Sequence, residues 1–352
     1  MISVFLSLFK IKFICWYNTP KEYHTTNHDF IRYQISMDKQ IVIVGGNASV
    51  DLAKKISEQV GVPYCQSVFK KFSDGEFKVR FDESIRGKQV FIVQSTFPPG
   101  DHRMELFLWM DAAKRACAGK IIAVIPYYGF ARQDKKKEPR VPISAKAMAN
   151  LLVASGADQV ITVDLHADQI QGFFEIPLNH IHSSKIFIPM IEKMNLKSPV
   201  IVAADVGGSK RAEFYSEHIA GSELIICYKK RLDDNKVKEI RVLGNVKDKD
   251  AIIVEDMIDT GGTIVEVAKA LKSAWAKSIR VIATHGLFSG EAHQKFEDSS
   301  IDEIIVTDSI PLQRWSEEKF ISSKIKVESV AGLLGNVIMN IYNNKSLSEH
   351  YY

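Results

Sequence analysis

Val254-Glu255-Asp256-Met257-Ile258-Asp259-Thr260-Gly261-Gly262-Thr263 completes an apolar run that begins at Ala251. Ala251-Ile252-Ile253-Val254 reads as a parallel strand buried on both faces, which delivers Glu255 and Asp256 at its carboxyl end. Asp259 and the turn Thr260-Gly261-Gly262-Thr263 follow, and Ile264, Val267, Ala268 and Leu271 then mark one face of a helix. Glycines let backbone N–H groups approach an anion, and a helix N-terminus adds free donors and positive dipole. The turn therefore suits a phosphate monoester, and the acids beside it suit sugar hydroxyls or a hydrated metal ion.

Outward from this segment, β-rich runs alternate with helical patterns. Strands are expected at 41–44, 90–94, 121–126, 159–163, 200–203, 223–227, 251–254, 279–284 and 303–307, and helices at 50–60, 104–118, 143–155, 210–218 and 264–276. Such alternation implies α/β architecture, a mostly parallel sheet flanked by helices. The chain also repeats itself. Residues 88–93, a loop, a helix and 120–124 form one unit, and residues 249–254, a loop, a helix and 278–282 form another; only the second carries Asp-Thr-Gly-Gly-Thr. Two related domains, of which one kept the phosphate turn, is the simplest account.

Four further segments place chemistry just past strand ends, where open α/β sheets bind ligands. Gly129-Phe130-Ala131-Arg132-Gln133-Asp134-Lys135-Lys136-Lys137-Glu138-Pro139-Arg140 begins a stretch, residues 132–146, with six cations against Asp134 and Glu138. It reads either as a solvated basic face or as a nucleotide-holding base, Arg132-Gln133, below lysines that close over a polyphosphate. His166, in Asp164-Leu165-His166-Ala167-Asp168, is either structural or a ligand to a metal or its water. Asp205, before Gly207-Gly208-Ser209, offers one hard oxygen to Mg²⁺ or serves a helix start, for which Ser209 is the better cap. Tyr228-Lys229-Lys230-Arg231 is either a surface loop or a clamp for transferring phosphoryl oxygens, with a turn expected at 233–235. Phe72-Ser73-Asp74-Gly75-Glu76 reads first as a turn between β-like segments.

Composition narrows the classes. At 352 residues, 46% hydrophobic and 25% charged, the chain suits two ordinary soluble domains. Net charge is +4, and the first 36 residues hold four basic side chains (Lys10, Lys12, Lys21, Arg32) against two acidic (Glu22, Asp29). The body is nearly neutral, which argues against nucleic-acid binding by bulk charge. Cys15, Cys65, Cys117 and Cys227 show no CxxC spacing, which excludes a Cys-rich zinc module and fits reduced thiols in a cytosol. Cys117 and Cys227 are expected in or near the core. The apolar start, residues 1–9, is too short to span a bilayer and lacks the basic region and cleavage site of a signal peptide. Residues 1–36 are read as a disordered extension or the product of an upstream start codon, with an organelle-targeting segment as the alternative.

Together these segments resemble the ribose-phosphate pyrophosphokinases, the phosphoribosyl-pyrophosphate (PRPP) synthases. The resemblance runs from Met37 to about Leu347 and rests on residues 72–76, 131–134, the long signature 164–177, Asp205 before Gly207-Gly208, and residues 255–263. The 164–177 signature is distinctive of the family, whereas 255–263 is shared with phosphoribosyltransferases generally. The resemblance implies two tandem phosphoribosyltransferase-like domains, 37–183 and 184–347, in a cytoplasmic homo-oligomer, a hexamer of dimers. Active sites then sit between domains and take nucleotide contacts from a neighbouring subunit. It implies Mg²⁺-dependent transfer of the β,γ-pyrophosphoryl group of ATP to O1 of ribose 5-phosphate, releasing AMP, with phosphate and ADP as effectors near Arg86 and residues 308–311 and with no nucleic acid or membrane partner. By the same resemblance Asp74, Gly75, Glu76, Arg132 and Gln133 hold the adenosine moiety, and His166 and Asp205 are Mg²⁺-linked. Asp259, Thr260, Gly261, Gly262 and Thr263 bind the 5-phosphate, Glu255, Asp256 and Arg231 surround the ribose, and Lys229 is catalytic, with Arg231 beside it.

The chain departs from the family pattern at Glu255 and Asn179, both usually Asp, at Ala203-Ala204, usually Ser-Pro, and at Tyr228, where an acid is common. Two other readings remain. A non-catalytic regulatory subunit of the same fold should have lost catalytic residues, yet Lys229, Arg231, His166 and Asp205 are present. A phosphoribosyltransferase is permitted by 255–263 alone, but the 164–177 signature and Arg132-Gln133 argue against it.

Overall fold

Short apolar runs bounded by glycine and polar residues have little choice but to pair with their like, because only a sheet covered on both faces buries every side chain. The computed structural model, which describes residues 40–230, 239–312 and 320–348, contains two such sheets. Residues 1–36, Arg231 and the turn expected at 233–235 lie outside the described residues, and Lys229 is described as backbone only.

The first sheet joins β1 (Ile41–Gly45), β4 (Gln89–Val93), β5 (Lys120–Ile125), β6 (Gln159–Val163) and β7 (Leu178–Ile181) in that order, all parallel. A separate hairpin, β2 (Ser67–Lys71) and β3 (Phe77–Phe81), lies between β1 and β4 in sequence. One face of the sheet, with Val42, Val90, Ile92 and Ala123, is covered by α2 (Asp101–Arg115) and α3 (Ser144–Ser155). The other, with Ile43, Phe91, Val124 and Ile161, is covered by α1 (Val50–Val60) and by the last helix, α8 (Ala331–Tyr342). The chain thus returns at its C-terminal end to the sheet it built first.

The second sheet has the order β10-β9-β8-β11-β12-β13-β14. These are β8 (Pro199–Ala203), β9 (Glu223–Lys230), β10 (Glu239–Leu243), β11 (Asp250–Ile258), β12 (Ser278–Gly286), β13 (Glu303–Thr307) and β14 (Ile325–Glu328), and only β9 and β10 pair antiparallel. Helices α4 (Ser184–Lys193) and α5 (Ser209–His218) cover one face, and α6 (Gly262–Ser273) and α7 (Ala292–Glu297) the other. From β8 the chain runs outward to β9 on one side and then returns to β11 on the other. That reversal opens a crevice at the carboxyl ends of β8 and β11.

All nine expected strands are present, with three adjustments to the sequence reading. β11 continues through Glu255 and Asp256 to Ile258, so both acids sit within the strand. α2 starts at Asp101, where an acid favours a helix N-terminus, and ends at Arg115, because Cys117 takes φ +57. That exit leaves Cys117 exposed, contrary to the expected core position, whereas Cys65 and Cys227 are buried. Among the described residues no helix is long and apolar enough to cross a membrane.

Candidate active site

The crevice is a cleft of about 650 Å³ bounded by both sheets. The first contributes Arg132, Asp134, Lys135 and Lys137 from the loop after β5, and Asp164 and His166 from the end of β6. The second contributes Asp205, Gly207, Gly208, Lys210 and Arg211 after β8, and Glu255 and Asp256 on β11.

At its centre Asp256 faces both halves. Its Oδ2 is 2.7 Å from His166 Nδ1, and Arg211 Nη1 donates to its Oδ1 at 3.4 Å. Burial alone raises the Asp256 carboxyl, but the His166 hydrogen bond and the Arg211 charge outweigh it and hold it below the usual carboxylate range. An ionised Asp256 fixes the proton on His166 Nδ1 and leaves the Nε2 lone pair for a ligand, the arrangement typical of metal-binding histidines. Arg211 also lies 3.8 Å from Glu255. Burial works against its charge, but Asp256, Asp164 and Glu255 keep the guanidinium protonated. Glu255 is pushed up to about 8, first by burial and then by the neighbouring Asp256 and Asp205, against the pull of Arg211. Acid outweighs nearby base here, and a cation would relieve it. Asp205 Oδ1 accepts the Gly208 N–H at 3.0 Å, which sets the carboxylate at the mouth of the Gly-Gly turn.

The loop 259–263 lies just beyond this lining. Gly261 caps α6 with φ +72, and a Cβ there would meet the Phe296 ring at 2.4 Å, so the turn requires glycine. Glycine at the N-cap position offers no capping side chain of its own, and an ideal Cβ on Gly262 would meet nothing within 4 Å. The first-turn N–H groups of a helix have no intrahelical acceptors, so this end is chemically suited to a phosphate. Arg132 joins the loop to the cleft, donating from Nη1 to Asp259 Oδ2 at 2.7 Å. The base of its loop is closely packed: a Cβ on Gly129 would come within 2.2 Å of Thr96 O, and Arg103 stacks 4.5 Å over Phe130. Buried Asp134 accepts from Gln169 Nε2 at 2.7 Å and anchors the exposed cationic run 135–140.

One chain therefore brings together His166, Asp205, Glu255, Asp256 and Arg132, and through Arg132 also Asp259. It does not bring Asp74, Gly75 and Glu76 to the cleft lining; they form the exposed tip of the β2–β3 hairpin. Gln133 is exposed and accepts the Ser144 hydroxyl at 2.5 Å. The backbone of Lys229 pairs with Ile240 at the carboxyl end of β9, beside the β8 end that delivers Asp205. Asn179 is buried in β7 and does not line the cleft. Asp308 pairs with Lys55 at 2.9 Å and Ser309 is fully buried, which places part of the expected effector region in the seam between the sheets. Arg211 belongs to none of the sequence motifs, although a cation in the first turn of a helix runs against the dipole and is itself a signal.

Sequence models support the same picture. That for the N-terminal domain of ribose phosphate pyrophosphokinase matches residues 41–156, and that for the phosphoribosyl synthetase-associated domain matches residues 228–352. The chain is 45% identical over 311 residues to the ribose-phosphate pyrophosphokinase of Porphyromonas gingivalis, covering 88% of this chain and 97% of that relative. For the Chlorobaculum tepidum enzyme of the same name the identity is 46%, over 89% of this chain and 95% of that one. The crystal structure of phosphoribosylpyrophosphate synthetase from Mycobacterium smegmatis superposes with a TM-score of 0.80 at 37% identity, across 87% of this chain and 100% of that chain. Identity at this level over nearly the whole of those relatives, joined to a shared two-domain α/β architecture, means that this chain belongs to the ribose-phosphate pyrophosphokinase family.

Proposed function

We propose that the chain transfers the β,γ-pyrophosphoryl group of ATP to O1 of ribose 5-phosphate, giving PRPP and AMP. One observation carries the reading: His166 and Asp205 past their strand ends and Glu255-Asp256 within β11 surround one cleft, and Arg132 ties that cleft to the glycine turn at Asp259. Such transfer asks a protein mainly to align two substrates and to stabilise charge on the moving group. Asp259, Thr260, Gly261, Gly262 and Thr263 take the terminal phosphate of the sugar, and Glu255, Asp256 and Arg231 surround its ribose. Arg132 and Gln133 receive the nucleotide. Lys229 and Arg231 stabilise charge on the pyrophosphoryl oxygens. Lys135 and Lys137 close over the polyphosphate and exclude water, whose attack on ATP is the obvious side reaction.

The donor set fits Mg²⁺. Asp205 supplies a hard oxygen, His166 has its Nε2 lone pair left by the bond to Asp256, and Glu255 and Asp256 add further acid to the same lining. His166 and Asp205 would hold the ion, which when bound offsets polyphosphate charge that otherwise repels the attacking hydroxyl. The exposed hairpin tip supports a homo-oligomer, a hexamer of dimers, in which Asp74, Gly75 and Glu76 complete the nucleotide site of a neighbouring copy.

The test is incubation of the purified protein with ATP, ribose 5-phosphate and Mg²⁺, with AMP and ADP separated. AMP in step with PRPP, lost on chelation, is expected. ADP in place of AMP rejects the reaction, and base-dependent consumption of PRPP points to a phosphoribosyltransferase. A protein inactive alone that modulates a partner synthase is the regulatory subunit.

A further inference from the structure

His166 stands where it does because the chain turns sharply at Asp164, whose φ is +37, a left-handed conformation that a residue with a Cβ adopts only when held. In an extended strand successive carbonyls point to opposite sides. The left-handed turn brings Val163 O and Asp164 O to one side, and both lie within hydrogen-bond reach of a single ring nitrogen, His285 Nε2, at 3.2 and 3.1 Å. His285 comes from the other sheet, on β12, where it pairs with Met257, the residue after Asp256. Its neighbour Thr284 donates to the Asp164 carboxylate, as do the hydroxyl of Ser183 and the Ser183 N–H, the latter at 3.2 Å.

The ring's protonation follows from its surroundings. His285 is 1% exposed, and burial lowers its affinity for a second proton, so the imidazole is neutral. Its Nδ1 lies 2.9 Å from Ser309 Oγ. The Ser309 hydroxyl has Thr284 O at 3.1 Å as a second acceptor, so the tautomer is fixed at the other ring nitrogen, where Val163 O and Asp164 O can only accept. The proton then resides on Nε2, facing the two carbonyls; the other tautomer would set a lone pair against both oxygens.

We propose that His285, held by Ser309, is a positioning residue for the reaction. Its Nε2–H keeps Asp164 left-handed and so sets His166 against Asp256 across the boundary between the two sheets. The role matters to turnover only if the reaction proposed above is the one catalysed, so the test reads it in two ways. In the full-length protein, asparagine can imitate only Nδ1 of the ring, whereas glutamine can present an N–H near Nε2. His285→Asn should lower kcat about 100-fold, the cost of displacing a reacting group by roughly 1 Å, with KM for both substrates nearly unchanged. His285→Gln should recover most of that loss at a similar melting temperature. Equal losses in the two variants, or an unchanged kcat in folded His285→Asn, overturn the role. Should His285→Asn not fold, Ser309→Ala decides. It keeps the ring and removes the group behind it, and should lower kcat about 10-fold, in the range for lost outer-shell support; full activity in that variant also overturns the role. Nitrogen NMR on the wild-type protein reads the tautomer without any assay: protonated Nε2 is expected, and protonated Nδ1 contradicts the proposal. A wild type that makes no AMP would instead reject the reaction while leaving the tautomer result to stand.

Discussion

Arg132 and Asp259, 127 positions apart in sequence, meet at 2.7 Å between Nη1 and Oδ2 and bridge the loop after β5 to the glycine turn before α6. The first is expected to hold nucleotide and the second ribose 5-phosphate. Their contact therefore links two substrate sites before either substrate arrives. Both side chains keep substantial solvent access, 49% and 29%, so the pair adds little to folding. Its consequence is kinetic. Arg132→Ala should raise KM for ATP and Asp259→Asn should raise KM for ribose 5-phosphate. The double variant should fall short of the summed effects by roughly 0.5–1 kcal/mol, as for directly contacting residues. Strict additivity in that cycle would show that the contact does not couple the sites.

The two glycines of the phosphate turn should behave oppositely. Gly261 needs its positive φ and its missing Cβ, so Gly261→Ala should cost upwards of about 1 kcal/mol in stability and also raise KM for ribose 5-phosphate. The space around an ideal Cβ at Gly262 is open and no positive φ is required. Gly262→Ala should therefore fold and melt normally yet bind the sugar phosphate poorly, because its methyl would stand in the anion's place. A Gly262→Ala enzyme with unaltered KM would move the phosphate elsewhere.

The parts of the fold legible in the sequence are those where burial is continuous. Ile41–Gly45, Gln89–Val93 and Asp250–Ile258 announce themselves because strands covered on both faces must be apolar almost throughout. β7 escapes that logic: Leu178-Asn179-His180-Ile181 is half polar because His180 accepts the Leu165 N–H at 2.8 Å instead of filling a core. β14 and β10 lie at the edges of their sheet and lack a buried run. The apolar helix α8 is not among the expected helices, and no local pattern says that it crosses back onto the first sheet. The site divides in the same way. Glu255–Thr263 and Asp205 are visible as strand, acid and glycine turn, whereas Arg211 and His285 join the site only through contacts between distant segments.

Lys229 offers the sharpest kinetic prediction. Its backbone lies at the carboxyl end of β9, next to the strand that delivers Asp205. A cation that meets the pyrophosphoryl oxygens only as charge builds on them lowers the barrier without tightening substrate binding. Lys229→Ala should therefore lower kcat by on the order of 10³-fold with KM for either substrate little altered. A variant with normal kcat and raised KM would reassign the lysine to ground-state binding.

Mild acid should lower stability through His180, against an opposing gain from Glu255, which the folded protein protonates below about 8 and the unfolded chain only near the ordinary carboxylate range. Burial, and then the nearby His182, push the His180 imidazole down to about 4, while Asp164 and Asp168 pull weakly the other way. The unfolded chain, with an ordinary histidine, takes up the proton near pH 6.5, so between about 6.5 and 4 it holds more proton at this residue than the folded one. The His180 contribution to stability is therefore complete above that window and is lost as the pH falls through it, by at most roughly 3 kcal/mol for this group. Asp164, held below the usual range by His182 and by the Ser183 and Thr284 hydroxyls despite its burial, adds its loss only below the ordinary carboxylate range. Glutamine at 180 can still accept the Leu165 N–H but cannot titrate. Urea melts of wild type and His180→Gln at closely spaced pH values should diverge between 6.5 and 4, with the wild type losing stability relative to the variant as the pH falls; parallel curves would mean that His180 takes up its proton as readily in the folded protein as in the unfolded chain.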